Sequence, residues 1–221
     1  MRITFAFPTS IAPSQPLGTI MANAVTIDIR SCGLEGPLVI ENCQYLKKVI
    51  CSDNQLGRLK IVNCPNLEFV ECQRCDLESL EISGCPKLRK LDCRGNRLTE
   101  LPTGMKLRFL DCSNNQLQAI PSMNKIKRLF CDNNQIVFLP SMKRLKMLSC
   151  SRNQLRTLPH PSELPRMKDL NCSYNRLHGI AKYPKIKVCD CFGNNIRSVT
   201  AAKIAQRKKN VHVDNVNYPW W

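Results

Sequence analysis

The chain has 221 residues, with 33 Lys and Arg against 17 Asp and Glu, a formal charge of +16 and 14 cysteines. No stretch approaches the ~20 consecutive apolar residues of a membrane span, and Met1 to Pro8 is too short an apolar run for a signal peptide, so no membrane insertion and a reducing intracellular compartment are expected. The charge is uneven: residues 1–100 hold 12 Lys and Arg against 11 Asp and Glu, whereas residues 101–221 hold 21 against 6, an asymmetry that points to an acidic partner or a polyanion.

In chain order, residues 1–23 carry a short strand at Ile3 to Phe7 and then a loop through Pro8, Pro13 and Pro16, which reads as an N-terminal cap or an arm. From Ala24 a pattern repeats. Its clearest statements are Leu107 to Pro121 and Ile126 to Pro140, both LxxLxCxxNxLxxLP with Ile accepted among the apolar positions. Nine such coils have their first positions at Ala24, Leu46, Leu67, Leu88, Leu107, Ile126, Leu145, Met167 and Ile186, and fill residues 24–199. A period of this length overrides the length-based expectation of one or two ordinary domains and predicts a solenoid, in which stacked neighbours share one core.

The first three coils return through Leu38 to Cys43, Leu59 to Cys64 and Leu80 to Cys85, whose alternation predicts short strands on the convex side. The following coils return through Leu101-Pro102, Ile120-Pro121, Leu139-Pro140 and Leu158-Pro159. Proline lacks the amide donor of a ladder, so irregular turns are expected there, with Met105, Met123 and Met142 plugging the convex side. Residues 200–221 read as a C-terminal cap or tail: a basic helix over Thr200 to Lys209, then Trp220 and Trp221, which either cover the ninth coil or insert into a neighbouring subunit.

Positions 1, 4, 6 and 11 of each coil face inward, and positions 2, 3, 5, 7 and 8 look out from a concave sheet. Eight cysteines occupy position 6, Cys32 and Cys75 stand at position 9, Cys43, Cys64 and Cys85 form a convex column, and Cys189 replaces a leucine at position 4. All fourteen are expected to point inward as free thiols, because ladder neighbours about 4.8 Å apart exceed the Cβ spacing a disulfide prefers. The asparagines at position 9 are expected to satisfy backbone groups at the bend.

These residues resemble the short, cysteine-bearing leucine-rich repeats found in bacterial proteins and in proteins of large DNA viruses. The resemblance implies an α/β-type repeat solenoid, mostly β, with a parallel concave sheet of about nine coils and an irregular or short-stranded convex side. For function, the viral part of the resemblance suggests a virion as the larger assembly, with this chain as a minor capsid or cement protein; the protein-interaction scaffold itself is expected from the basic half, the outward aromatics and the tryptophan-ended tail.

The surface columns sharpen that expectation. Position 2 carries Arg89, Arg108, Lys127, Lys146, Lys168 and Lys187 in the last six coils, and the residue before position 1 carries Lys87, Lys106, Lys125, Arg144, Arg166 and Lys185. Together they predict a basic stripe along the leading edge, where the strands begin. Beside it lie Phe109, Arg128, Phe130 and Met147, a contiguous patch with the apolar and Arg anchors typical of interfaces. The candidate partner-binding residues are therefore Arg108, Phe109, Lys127, Arg128, Phe130, Lys146, Met147, Lys168, Trp220 and Trp221. The partner is a protein with an acidic surface or, alternatively, a nucleic acid or other polyanion. Acids at position 5 (Asp28, Glu71, Asp92, Asp111, Asp190) oppose the polyanion reading at the sheet centre.

Candidate chemistry is absent from the pattern. Cys72 and Cys75 imitate a metal pair but fall at inward positions of a linear column, which does not present four tetrahedral ligands. His160, His178 and His212 have no recurring partner, and no Gly-rich phosphate loop or nucleophile elbow occurs. No enzyme activity, metal or cofactor is expected.

Overall fold

The structure is a computed structural model that describes residues 2–4 and 23–196. In chain order its strands are β1 (Arg2–Thr4), β2 (Thr26–Asp28), β3 (Leu38–Glu41), β4 (Lys48–Ile50), β5 (Arg58–Val62), β6 (Phe69–Glu71) and β7 (Ser79–Ser83). They continue as β8 (Lys90–Asp92), β9 (Phe109–Asp111), β10 (Arg128–Phe130), β11 (Met147–Ser149), β12 (Asp169–Asn171) and β13 (Val188–Asp190). Among the described residues there is no helix, so none is long and apolar enough to cross a membrane.

Each expected coil contributes one three-residue strand, positions 3 to 5, to a parallel sheet ordered β1-β2-β4-β6-β8-β9-β10-β11-β12-β13. Every pairing is in register at position 4, so that Leu91, Leu110, Leu129 and Leu148 stack in one column and are fully buried or nearly so. A strand this short cannot stand alone; it persists because position 4 is buried from both flanking coils, and each buried leucine contributes roughly 1.5–3 kcal/mol. A second parallel sheet, β3-β5-β7, lines the convex side of the first three coils, as the alternation of those returns predicts. From the Leu-Pro coils onward the convex side holds only an isolated bridge between Ala119 and Phe138 among the described residues.

The position-9 asparagines do what the bend requires. Asn134 accepts from the amide of Leu117 at 3.0 Å and donates to the carbonyls of Cys112 and Cys131 at 3.0 and 3.2 Å. Asn54, Asn96, Asn115, Asn153, Asn175 and Asn194 repeat the arrangement. Where Cys75 takes the position, its thiol donates to the Cys51 carbonyl at 3.1 Å, and its own backbone carbonyl accepts from the Leu56 amide at 3.0 Å. The residue before each of these, position 8, lies in the left-handed region in all nine coils, from Ser31 (φ 51°) to Gly193 (φ 66°). Asn114, Asn133 and Asp53 suit that conformation, whereas Arg74, Arg152 and Tyr174 hold it at a cost of about 1–2 kcal/mol each.

The thiols are free, and eleven of the fourteen are buried. Cys32, Cys85 and Cys189 pack against the core but are only half-buried, contrary to the expectation of a fully inward set. Cys32 and Cys189 lie in the first and last coils, and Cys85 follows the last strand of the convex sheet, so each lacks one covering neighbour. Burial pushes Cys72, Cys93, Cys112, Cys131 and Cys150 well above the usual thiol range, so these thiols are neutral core groups. Met123 and Met142 fill the convex core as expected, with Met105 partly buried. Leu164 and Tyr183 fill it in the later coils, and the Tyr183 hydroxyl donates to the Pro159 carbonyl at 2.7 Å. The strand expected at Ile3 to Phe7 is represented by β1, which pairs with β2; residues 5–7 lie outside the described residues, as do the tail helix, Trp220 and Trp221.

Candidate functional site

The concave face is built from positions 2, 3 and 5. Position-2 amides and carbonyls form an unbroken ladder, Lys127 to Arg108 at 2.9 Å, Lys146 to Lys127 at 2.8 Å and Lys168 to Lys146 at 2.8 Å, which stacks these side chains at the strand spacing. Arg108, Lys127 and Lys146 are exposed and Lys168 is half-buried. Arg89 leaves the stripe: its guanidinium donates to the Pro86 and Leu88 carbonyls of its own turn. The stripe therefore runs from Arg108 toward the C-terminal coils.

Beside it, Phe109 on β9 and Phe130 on β10 stand with ring centroids 5.8 Å apart at 46°. Arg128 is in register with Phe109 on one side and Met147 on the other. The structure thus brings eight of the expected binding residues onto one face, with Phe109, Phe130 and Met147 half-buried and Arg128 exposed among them. Phe69 is separate, covered by the ammonium of Lys48 at 4.8 Å from its ring.

The centre of the face differs from the expectation of an open acidic column. Asp92 is fully buried and Asp111 nearly so. The Gln73 amide donates to Asp92 at 2.9 Å, and the Arg94 guanidinium lies 3.7 Å from Asp92 and 3.5 Å from Asp111. Strand spacing is the reason, because the long side chains at position 7 of adjacent coils reach across and roof the shorter acids. Burial, with Asp111 adjacent, pushes Asp92 up to about 7, and burial raises Asp111 as well. Near neutral pH the column carries less negative charge than its composition suggests, so it opposes the basic stripe weakly.

On the trailing edge, after the strands, Tyr174 and Phe192 meet edge to face at 5.5 Å, and Arg152 lies over the Tyr174 ring at 4.8 Å. The sequence pattern alone does not announce the role of Arg152 there. It also misses Tyr45, Val137 and Phe138, all exposed. Val137 and Phe138 break a detectable rule, since Gln118-Ala119 and Arg156-Thr157 hold the same positions in neighbouring coils. Among the described residues, no three His, Cys, Asp or Glu side chains are grouped to hold a metal ion.

The comparisons agree with this geometry. The family Leucine Rich Repeat matches residues 106–124, one coil of the basic half. YopM, a leucine-rich effector protein of Yersinia pestis, is similar at 23% identity and a TM-score of 0.66, over 77% of this chain and 55% of that one. A leucine-rich-repeat protein of Leptospira interrogans is similar at 20% identity and a TM-score of 0.57, over 75% of this chain and 56% of that one. YopM of Yersinia enterocolitica is similar at 22% identity and a TM-score of 0.51, over 78% of this chain and 45% of that one. The chain thus spans about half the length of these solved structures. No curated protein matches it. The repeat register, the parallel sheet and these similarities establish the fold as a leucine-rich-repeat solenoid.

Proposed function

We propose that the protein is a non-enzymatic interaction scaffold that takes the acidic surface of a partner protein on its concave face and leading edge, within a larger assembly. The observation that carries this reading is the Phe109–Phe130 pair, 5.8 Å apart on neighbouring strands, with Arg128 in register beside Phe109 and the position-2 column of Arg108, Lys127, Lys146 and Lys168 along one edge. An apolar centre flanked by Arg is the arrangement of an interface hot spot, and a rim of one charge sign speeds encounter with the opposite sign and selects for it. Leucine-rich-repeat solenoids generally serve as binding scaffolds, which supports a role without catalysis. The likeness of the cysteine-bearing coils to those of large DNA viruses leads us to infer a virion as the assembly, with this chain as a minor structural or cement protein.

The test combines Arg108→Glu, Lys127→Glu and Lys146→Glu with Phe130→Ala and compares capture from the source extract by mass spectrometry. We expect an acidic-surfaced protein recovered with the wild-type chain to be lost with the variant, while the melting temperature stays within a few degrees. Equal recovery overturns the reading. A nucleic acid or other polyanion along the same edge would instead bind with steep salt dependence and without regard to Phe130.

A further inference from the structure

The trailing edge of the last three coils is chemically unlike the rest of that edge. In the N-terminal coils its cations are neutralised: Arg74 is bidentate to Asp53 at 2.6 and 2.9 Å, and Arg97 pairs with Asp76 at 3.1 Å. From Ser151 to Thr157, from Ser173 to Gly179 and from Phe192 to Ile196 there is no Asp or Glu. These segments hold Arg152, Arg156, Arg176 and His178 instead. Among the described residues, neither the Arg156 nor the Arg176 guanidinium has an ion-pair partner.

Arg156, Arg176 and the imidazole of His178 line a shallow, open cavity of about 560 Å³ together with Asn175 and the stretch Gly193 to Asn195. Asn175 and Asn194 are committed to the backbone, donating to Cys150 and Cys172 and accepting from Leu155 and Leu177. The groups left to meet a ligand are therefore the two guanidiniums, the imidazole of His178 and the amide of Asn195. The aromatic pair adjoins this cavity through Gly193. A Cβ built at Gly193 would sit 2.7 Å from the Tyr174 ring, so the ring lies directly on the backbone of a residue that lines the cavity. Arg152 covers Tyr174, and Phe192, 70% exposed, presents its ring to solvent.

Cations without counter-charges, next to an exposed aromatic ring, match two chemical features at once: an anionic phosphate and a planar base. A positively charged groove with aromatic platforms is how single strands are held without sequence preference, since every base offers a face to stack. We infer that the trailing edge of the last three coils binds single-stranded nucleic acid. Arg156, Arg176 and His178 contact phosphates, and a base stacks on Phe192. This surface is separate from the concave patch, so the chain binds its protein partner and a nucleic-acid strand on different edges.

Fluorescence anisotropy of the full chain with a labelled oligothymidylate tests this. Phe192→Ala, which leaves the net charge unchanged, should weaken binding by roughly tenfold, and Phe192→Tyr should retain it. The pair Arg156→Ala and Arg176→Ala should weaken binding at least as much and flatten the salt dependence by about 0.7 log units per log unit of salt for each lost phosphate contact. The charge-matched pair Lys125→Ala and Arg144→Ala on the leading edge should leave affinity within about twofold. Equal losses from both charge pairs, or no loss from Phe192→Ala, would show diffuse attraction to a basic protein and overturn the site. An abasic oligomer binding as tightly as oligothymidylate would remove the base from the proposal, and thymidine monophosphate competing with equal affinity would assign the site to a free nucleotide instead of a strand. Failure of the acidic-partner experiment leaves all of these readouts unaffected.

Discussion

The first three coils and the Leu-Pro coils return the chain across the convex side by different physical means. In the former, β3, β5 and β7 pair through the backbone, with Ile40, Ile61 and Ile82 stacked in register beneath. The thiols of Cys43, Cys64 and Cys85 donate to the carbonyls two residues before them. In the latter, proline removes a ladder donor, most coils shorten to 19 residues, and side-chain volume from Met123, Met142, Leu164 and Tyr183 takes over. A second sheet thus requires about two more residues per coil and ties neighbours by a ladder of directional bonds, whereas the shorter return relies mainly on packing, with scattered bonds such as Met142 N–H to the Glu163 carbonyl and the Tyr183 hydroxyl to that of Pro159. The charge divides along the same seam. Residues 1–100 are nearly balanced, whereas the net positive charge and the exposed Phe138, Tyr174 and Phe192 lie in the half without the second sheet, Tyr45 being an exposed aromatic of the other half.

Asp92 on β8 stands at the seam and carries the largest expected effect. Its folded value near 7 exceeds the ordinary 3.8, so between these pH values the unfolded chain has released a proton that the folded chain retains. Its contribution to stability is therefore greatest below pH 4 and is lost as pH rises toward 7, by up to about 4 kcal/mol. Asp92→Asn should abolish that slope and raise the melting temperature at pH 8; thermal melts from pH 4 to 8 in which both chains show the same slope would contradict the burial seen here. Next comes Lys60→Pro, which imposes the chemistry of the later coils on the central convex strand. Removing one ladder donor should cost roughly 1–3 kcal/mol in urea denaturation, while Lys60→Ala, which loses only the surface pair with Glu41, should cost less than about 1 kcal/mol. A cost for Lys60→Pro no larger than that of Lys60→Ala would mean the second sheet adds little. The smallest effect belongs to Tyr183→Phe, which removes the side-chain hydrogen bond to the Pro159 carbonyl on the late convex side and should cost about 1 kcal/mol; an unchanged denaturation midpoint would mean that this bond adds little to the packing there.

The columns were legible because a solenoid repeats its chemistry: an apolar residue or Cys189 at position 4, a thiol at position 6 in eight of the nine coils and an amide at position 9 in seven leave little freedom in register. The convex strands and their loss at Leu-Pro were legible for the same reason. The burial of Asp92 was not, because alternation tells which way a side chain leaves the strand but not whether Gln73 from the preceding coil and Arg94 from its own close over it. The left-handed position 8 was half legible. Asn114, Asn133 and Gly193 announce it, whereas Arg152 and Tyr174 hide it, since their strain is accepted where the two side chains stack. The candidate patch was readable as a set of neighbours, and Phe109, Phe130 and Arg128 are neighbours in space.

The asparagine column also has a direction. Asn54 holds the amide of Leu34, Asn96 that of Leu77, Asn115 that of Leu98, and so on to Asn194 with Leu177: each asparagine oxygen reaches back to the bend of the coil before it, so that bend gains its side-chain latch only from the coil that follows. A chain made from its N-terminus on a ribosome therefore carries one unlatched bend at its growing end, and each new coil closes the last.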